Sequence, residues 1–490
     1  MFAGFANKGG DMSFMLMRFQ YFGNLALSFF IKGTCLFLIF TITGCVSNEP
    51  IRKGGIGSPC INDECKPPVE LPFIEKHDQY DLAFVEFTER GNVFDRQRLE
   101  DVLEYIDKKG KSDEGAIVIV FAHGWKNNAK INNNNVENFR GLLSVTAKLE
   151  KQWGSKKKVV GVYIGWRGQT LDVEFLNNIT YWDRKAVAEQ VGKGGVTELL
   201  LRLEHMLDSN SDKNLYLVTG HSFGGAIILS ALHEVMLERV ISAKETYQGC
   251  YKTRPFGHGV ILLNPAIEAN EALQLKELVA QKCFDDTQTR LMHIISSNAD
   301  IATKLAFPIG QLLGVNLRWS QAKILREFQP NKIIELYESE LDTTTVGNSP
   351  LFRTGQFDFE KGEYRTCVGG KSDCVRDQEE IHIPVKKNEP LAFIYTDSAF
   401  INGHNDVFNS RVQAYIAAIV TETRAKRNLV LVNENKCFPS DKNDQRMQSN
   451  KIPSECFLQI NGIENDFDFK ECFNFFQRKL NFSEETKRDQ

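Results

Sequence analysis

The chain has 490 residues, 42% of them hydrophobic and 25% charged, with 14 prolines. That excludes a disordered or fibrous protein and leaves enough apolar material for one large domain or two ordinary ones. A formal charge of -4 offers no basic surplus for a phosphate backbone, so nucleic acid is not an expected partner.

Residues Phe29 to Ile42 are apolar except for Lys32, Gly33, Thr34 and Thr41. Arg18 and Lys32 supply positive charge, and no acid lies between Asp11 and Glu49. A short apolar run behind a basic lead is the pattern of a secretory signal and is short for a permanent span. An uncleaved anchor or a segment packed into the fold fits the same run. The run ends in Ile42-Thr43-Gly44-Cys45, which resembles the lipobox of bacterial lipoproteins. The resemblance implies that residues 1–44 are a signal peptide and that Cys45 receives lipid as the mature N-terminus. Val46 in place of an acid resembles an outer-membrane address, facing periplasm or cell surface. The lead before Arg18 is long for such signals, and Met15 and Met17 are alternative starts.

Of the 11 cysteines, Cys35 falls in the signal and Cys45 is reserved for lipid. Cys60–Cys65, Cys250–Cys283 and Cys367–Cys374 are plausible local disulfides in an oxidising compartment. With Cys437, Cys456 and Cys472 the remainder is odd, so at least one thiol stays free. No Cys-x-x-Cys or clustered Cys/His spacing suggests a metal.

Residues 45–75 read as a lipidated flexible tether, broken repeatedly by Pro50, Gly54, Gly55, Gly57, Pro59, Pro67, Pro68 and Pro72. Beyond it, 76–427 reads as a catalytic domain. Apolar runs at 81–87, 116–121, 159–164, 215–219, 259–263, 291–296 and 391–395 predict strands, several continuous enough to be covered on both faces of a parallel sheet. Helical patterns at about 95–108, 135–151, 183–207, 222–240, 267–282 and 406–425 lie between them. The pattern predicts a three-layer α/β sandwich with its site beyond the carboxyl ends of the strands. Residues 301–390 break the alternation as an inserted, lid-like segment. Residues 428–490 read as a C-terminal extension held by disulfides.

The strand-like Leu215-Tyr216-Leu217-Val218-Thr219 runs into Gly220-His221-Ser222-Phe223-Gly224-Gly225 and then into a helical pattern. Such a tight turn lifts the Ser222 oxygen above the sheet and sets it at a helix N-terminus, where free N–H groups favour an anionic intermediate. Ser222 is the candidate nucleophile, with an ordinary helix cap as the rival reading. The Phe223 N–H is the first candidate oxyanion donor. Upstream, Ala116–Phe121 leads into Ala122-His123-Gly124-Trp125, whose turn supplies the second donor from the N–H of Trp125, or of Gly124. His123 reads as a residue that shapes this loop rather than as a base.

His123-Gly124-Trp125 with the Asn-rich stretch after it, the Gly220–Gly225 turn and Leu262-Leu263-Asn264-Pro265-Ala266 together resemble the α/β-hydrolase superfamily, in particular its lipase and esterase branch. The resemblance covers roughly residues 80–425. It implies the chain order Ser, acid, His, and hydrolysis of carboxylic esters through an acyl-serine, with a lipid or small acyl ester as substrate and no cofactor. The family's acid follows its seventh strand, which carries the role to Asp300 after Leu291–Ser296. Asp285 and Asp286 are the runners-up, and Asp406 is a lesser candidate. The family's histidine follows the last strand, which points to His404 after Leu391–Tyr395. His221 reads as packing or pocket lining, and Trp125, Phe223, Trp166, Tyr181 and Trp182 as either acyl-pocket or core aromatics. Thioesterase, amidase or acyl-transfer chemistry would use the same residues. A non-catalytic lipoprotein that keeps the fold as a binding module is the alternative from another class.

Overall fold

Ala-Ile-Val-Ile-Val-Phe-Ala at 116–122 forms a strand buried along its whole length, and its alternate side chains separate the two halves of the core. In this computed structural model the described residues are 49–58, 70–152, 154–168, 181–208, 213–246, 249–285, 288–308, 322–329, 332–359, 363–366 and 388–427. The signal, Cys45, Cys60–Cys65, Cys367–Cys374, the three last cysteines and the 428–490 extension lie outside the described residues. The strands of the described residues are β1 (Gly54–Gly57), β2 (Pro72–Lys76), β3 (Tyr80–Glu86), β4 (Ala116–Ala122), β5 (Lys158–Gly165), β6 (Leu215–His221), β7 (Lys244–Glu245), β8 (Tyr251–Lys252), β9 (Gly259–Leu263), β10 (Met292–Ser297), β11 (Lys323–Gln329), β12 (Lys332–Tyr337), β13 (Gly355–Asp358), β14 (Glu363–Thr366) and β15 (Leu391–Thr396). The α-helices are α1 (Arg96–Gly110), α2 (Asn134–Gln152), α3 (Tyr181–Val191), α4 (Thr197–Asp208), α5 (Phe223–Ile241), α6 (Ala269–Ala280), α7 (Glu338–Thr343) and α8 (Ser410–Arg427).

One 11-stranded sheet runs β1-β2-β3-β5-β4-β6-β9-β10-β15-β13-β14. Its pairings are parallel except β2–β3 and β13–β14. Ile117, Ile119 and Phe121 of β4 pack with Phe139 and Leu143 of α2 and with Val412, Tyr415 and Ile419 of α8. Val118 and Val120 face the other way, onto Leu99 and Val102 of α1, Leu199 and Leu203 of α4, and Ile227 and Leu232 of α5. Period-two alternation in the strands and apolar stripes on the helices thus produce three layers. The fold is the expected α/β sandwich with a mostly parallel sheet.

Three expectations are corrected. Residues 54–57 and 72–75, read as part of a flexible tether, belong to the sheet as β1 and most of β2. The sequence pattern misses this because the apolar contribution is only the short Phe73-Ile74 pair, and the rest of the hold comes from buried ion pairs and hydrogen bonds. Buried Arg52 contacts Glu75 at 2.6 Å and Arg140 joins the same carboxylate, while the Ile51 and Arg52 N–H groups donate to Glu86. Burial works to raise the pKa of Glu75, but the His77 and Arg140 hydrogen bonds and the two guanidinium charges outweigh it and hold the carboxyl at about 2.

The helix expected over 183–207 is interrupted at Gly192–Val196, where Gly194 leaves helical geometry. A Cβ on Gly192 would sit 2.4 Å from the Ile227 carbonyl of α5, so these glycines let the kinked segment reach the neighbouring helix.

The described parts of the segment expected to be an inserted lid are built into the body. Phe328 of β11 and Leu336 of β12 join the core beside α6, Arg326 pairs with Glu277 at 3.1 Å, and β13 extends the central sheet next to β15. The Cys250–Cys283 disulfide is formed.

Truncating Arg140 to Met removes one of the two guanidinium partners of a carboxylate buried among β1, β2 and α2. It should lower stability by roughly 3 kcal/mol, read as a reduced urea midpoint at neutral pH. An unchanged midpoint would show that the N-terminal strands do not depend on this cluster.

Candidate active site

β6 ends at His221 and α5 begins at Phe223, which leaves a single residue for the turn. Ser222 takes φ 56° and ψ -120°, a backbone state L-residues rarely adopt and which the surroundings must enforce. They do so by close approach. The Ser222 N–H donates to the Leu263 carbonyl at 3.2 Å, and its own carbonyl accepts from Gly225 at 3.0 Å and Ala266 at 3.1 Å. A Cβ on Gly224 would fall 1.9 Å from the Ala122 carbonyl, so the first turn of α5 reaches the end of β4 only because that residue is glycine.

Ser222, His404 and Asp300 come together from the ends of β6, β15 and β10. Ser222 Oγ lies 2.8 Å from His404 Nε2. His404 Nδ1 lies 2.9 Å from both Asp300 oxygens. Asp300 is fully buried while His404 keeps 21% of its side-chain exposure, so the chain of hydrogen bonds runs from the interior toward solvent. Burial works to raise the Asp300 pKa. The His404 hydrogen bond and charge, with two bonds from Thr303, outweigh it and leave the group below the usual carboxylate range. An ionised Asp300 accepts from Nδ1–H and so turns the Nε2 lone pair toward the serine.

Several contributors to this geometry escape a reading of the sequence. Thr303 donates to Asp300 from Oγ1 at 2.6 Å and from its N–H at 3.1 Å, and Asn348 donates in turn to Thr303 Oγ1 at 3.1 Å. Both come from the segment read as an insertion. Asn264, at φ 43°, accepts from the Ser297 N–H at 3.0 Å and donates to the Gly403 and His404 carbonyls at 3.2 Å each. His221, expected to be packing or pocket lining, donates from Nε2 to the His404 carbonyl at 2.8 Å. Asn-Pro after a strand and His before the motif serine are the only sequence signals for these two.

The Gly124–Trp125 turn abuts the serine, since a Cβ on Gly124 would lie 2.9 Å from Ser222 Cβ. His123 shapes it from beneath. Its Nδ1 donates to the Gly124 carbonyl at 2.9 Å, its Nε2 accepts from the Trp166 N–H at 3.3 Å, and Trp166 Nε1 donates to the His123 carbonyl at 3.0 Å. The ring stacks between Tyr163 and Trp166. Asn127 closes the loop by donating to the Trp125 carbonyl at 2.9 Å. Phe223 is the first residue of α5, and its ring is buried beside the half-buried Trp125 at 6.2 Å. Trp166 is buried as well, so Trp166 and Phe223 belong to the core rather than to an open acyl pocket. The Tyr181 and Trp182 side chains lie outside the described residues.

The lesser acid candidates stand apart. Asp406 accepts from the Asn402 N–H at 2.9 Å and from Asn409 at 3.0 Å, closing its own turn. Asp285 precedes β10 near the Cys250–Cys283 bridge, with its N–H on the Tyr251 carbonyl at 3.0 Å, and Asp286 lies outside the described residues. No group of three or more His, Cys, Asp or Glu suited to a metal occurs among the described residues.

Two imidazoles beside the site are held neutral. Burial pushes His123 down to about 4. Burial, and after it the neighbouring His404, pushes His221 down to about 3. Both folded values lie below that of an unfolded histidine. The stabilisation is therefore complete above about pH 6.5 and is lost as pH falls toward 3–4, on the order of 3–5 kcal/mol for each ring. The thermal midpoint should fall between pH 6.5 and 4, a range in which Glu75 and Asp300, both held low, stay ionised, and His221→Gln should flatten that fall. A midpoint constant over this range would contradict the neutral-imidazole arrangement.

No family model and no curated protein matches the chain. Among solved structures, phospholipase PlaB from Legionella pneumophila in complex with thio-NAD is similar at 14% identity over 45% of this chain and 48% of that one, with a TM-score of 0.23. A second structure of the same phospholipase is similar at 13% identity over 37% and 39%, with a TM-score of 0.23. The chain thus spans less than half the length of the solved chains it matches.

Proposed function

We propose that the chain is a serine hydrolase that cleaves carboxylic esters through an acyl-Ser222 intermediate. The observation that carries this reading is the hydrogen-bond chain from Ser222 Oγ through His404 to Asp300, at 2.8 and 2.9 Å, mounted on a strained strand-to-helix turn. In the strand series β2, β3, β4, β5, β6, β9, β10 and β15 the acid follows the seventh and the histidine the last, the order that the α/β-hydrolase resemblance implies.

The chemistry follows from these positions. His404 Nε2 takes the Ser222 proton as Oγ attacks the ester carbonyl, while Asp300 holds the imidazole and stabilises its cation. The negative charge on the carbonyl oxygen is received by the N–H groups of Phe223 and Trp125, the former aided by the positive end of α5. His404 then gives its proton to the leaving alkoxide. In the second half it takes a proton from water, which attacks the acyl-serine, and returns that proton to Ser222 Oγ.

Purified protein should hydrolyse p-nitrophenyl esters, with Ser222→Ala inactive. Asp300→Asn should lose about ten-thousandfold in kcat, while Asp406→Asn retains most of the activity. If Asp406→Asn is the more damaging change, the acid is misassigned. A folded wild type without esterase activity would favour the binding module.

The run from Phe29 to Cys45 supports a second element of the proposal, that the hydrolase is a lipoprotein of the bacterial cell envelope, tethered through Cys45 on the outer membrane. Labelled palmitate should enter the wild type and not Cys45→Ser when both are expressed in a diderm host. Equal labelling of the two would remove the anchor assignment.

A further inference from the structure

Asp300 fixes the far side of the His404 ring, but the backbone that carries His404 is a loop whose preceding residue, Gly403, sits at φ 92°. A carboxylate on Nδ1 alone lets such a loop translate or pivot. What restrains it is the occupancy of one oxygen. The His404 carbonyl accepts from His221 Nε2 at 2.8 Å and from Asn264 Nδ2 at 3.2 Å, which uses both of its lone pairs. Asn264 holds the adjacent Gly403 carbonyl as well, at 3.2 Å.

The two donors belong to the same frame that sets the nucleophile. His221 is the residue before Ser222, and Asn264 directly follows Leu263, whose carbonyl receives the Ser222 N–H. Each donor is itself constrained. Asn264 is fully buried, its N–H donates to the Ile295 carbonyl at 2.8 Å, and its Oδ1 takes the Ser297 N–H. His221 is 2% exposed and its ring lies 4.8 Å from that of His404. Because a carbonyl only accepts, the His221 proton must sit on Nε2. Its buried Nδ1 finds no hydrogen-bond partner among the described residues. Nothing there favours the other tautomer or a second proton, so the ring stays a neutral donor and places no like charge against the imidazolium that His404 becomes.

We propose that His221 and Asn264 are positioning residues that clamp the His404 carbonyl from two sides and thereby hold its ring between Asp300 and Ser222. The inference rests on the proposed acyl-serine chemistry and adds to it that the residue before the nucleophile aligns the base. A clamp of this kind acts on proton transfer and leaves ester binding nearly untouched, because small errors in the base's placement are felt chiefly in the chemical step.

The test uses the full chain, a p-nitrophenyl ester and a fluorophosphonate. His221→Phe keeps a ring but no donor. It should lower kcat and the rate of fluorophosphonate labelling about tenfold to a hundredfold, with KM within about twofold. His221→Gln, whose amide nitrogen replaces Nε2, should restore most of the rate. Asn264→Asp keeps the acceptor for Ser297 and tolerates the positive φ, yet loses the amide donor. It should show the same kcat-selective loss, and it provides the answer if His221→Phe does not fold. A reactive wild type together with a folded His221→Phe or Asn264→Asp that reacts at wild-type rate would overturn the clamp alone. So would a His221→Gln as impaired as His221→Phe at equal thermal midpoints. A wild type unreactive toward both reagents would overturn the hydrolase reading, and the clamp with it.

Discussion

The backbone of Ser222 is the constraint on which the rest of the site hangs. One residue must turn a central strand into a nineteen-residue helix, and it does so at φ 56°, a conformation that persists only when neighbouring contacts outweigh its strain. Those contacts come from the ends of two strands, β4 and β9. β4 presents its terminal carbonyl to Gly224, β9 takes the Ser222 N–H, and the chain after β9 returns the Ala266 N–H to the Ser222 carbonyl. The same two strand ends supply the Gly124–Trp125 turn and Asn264. The serine, the candidate oxyanion turn and part of the support for His404 are therefore consequences of one local packing problem.

The polar groups around that turn are organised so that charge resides at few places. His123 is spent as a fixed neutral strut between Gly124 and Trp166, and His221 as a neutral donor to a carbonyl. Asp300 carries the buried negative charge, held by His404 and Thr303. A site built this way has one imidazole in contact with both a carboxylate and a hydroxyl, while the two other nearby rings cannot compete for the proton. Low dielectric around Asp300 strengthens its hold on His404, and the partial exposure of His404 leaves room for an incoming group.

The main sheet was legible because β4, β5, β6, β9, β10 and β15 are runs of apolar and β-branched residues with helices between them, as a doubly covered parallel sheet demands. Ser222, Asp300 and His404 were nameable because a strand-to-helix turn and chain order are one-dimensional signals, and the structure brings these three residues into hydrogen-bond contact. The missed features depend on contacts distant in sequence. Arg52, 23 residues from Glu75, anchors β1 and β2 through a buried ion pair. His221 and Asn264 reach a carbonyl 183 and 140 residues away. Thr303 and Asn348 stand in a segment that lacks periodicity and reads as a lid, although its strand β13 extends the sheet beside β15. The break at Gly192–Val196 is likewise set by proximity to α5 and not by helical pattern.

The proposed chemistry makes Ser222 the hydroxyl that this arrangement activates. Its most direct test is mass spectrometry of the whole protein after reaction with a fluorophosphonate, followed by peptide mapping. The expected result is a single adduct per chain, on the peptide that contains Gly220-His221-Ser222-Phe223-Gly224 and assigned by fragmentation to Ser222. An adduct on another residue, or an active enzyme left unmodified, would contradict it.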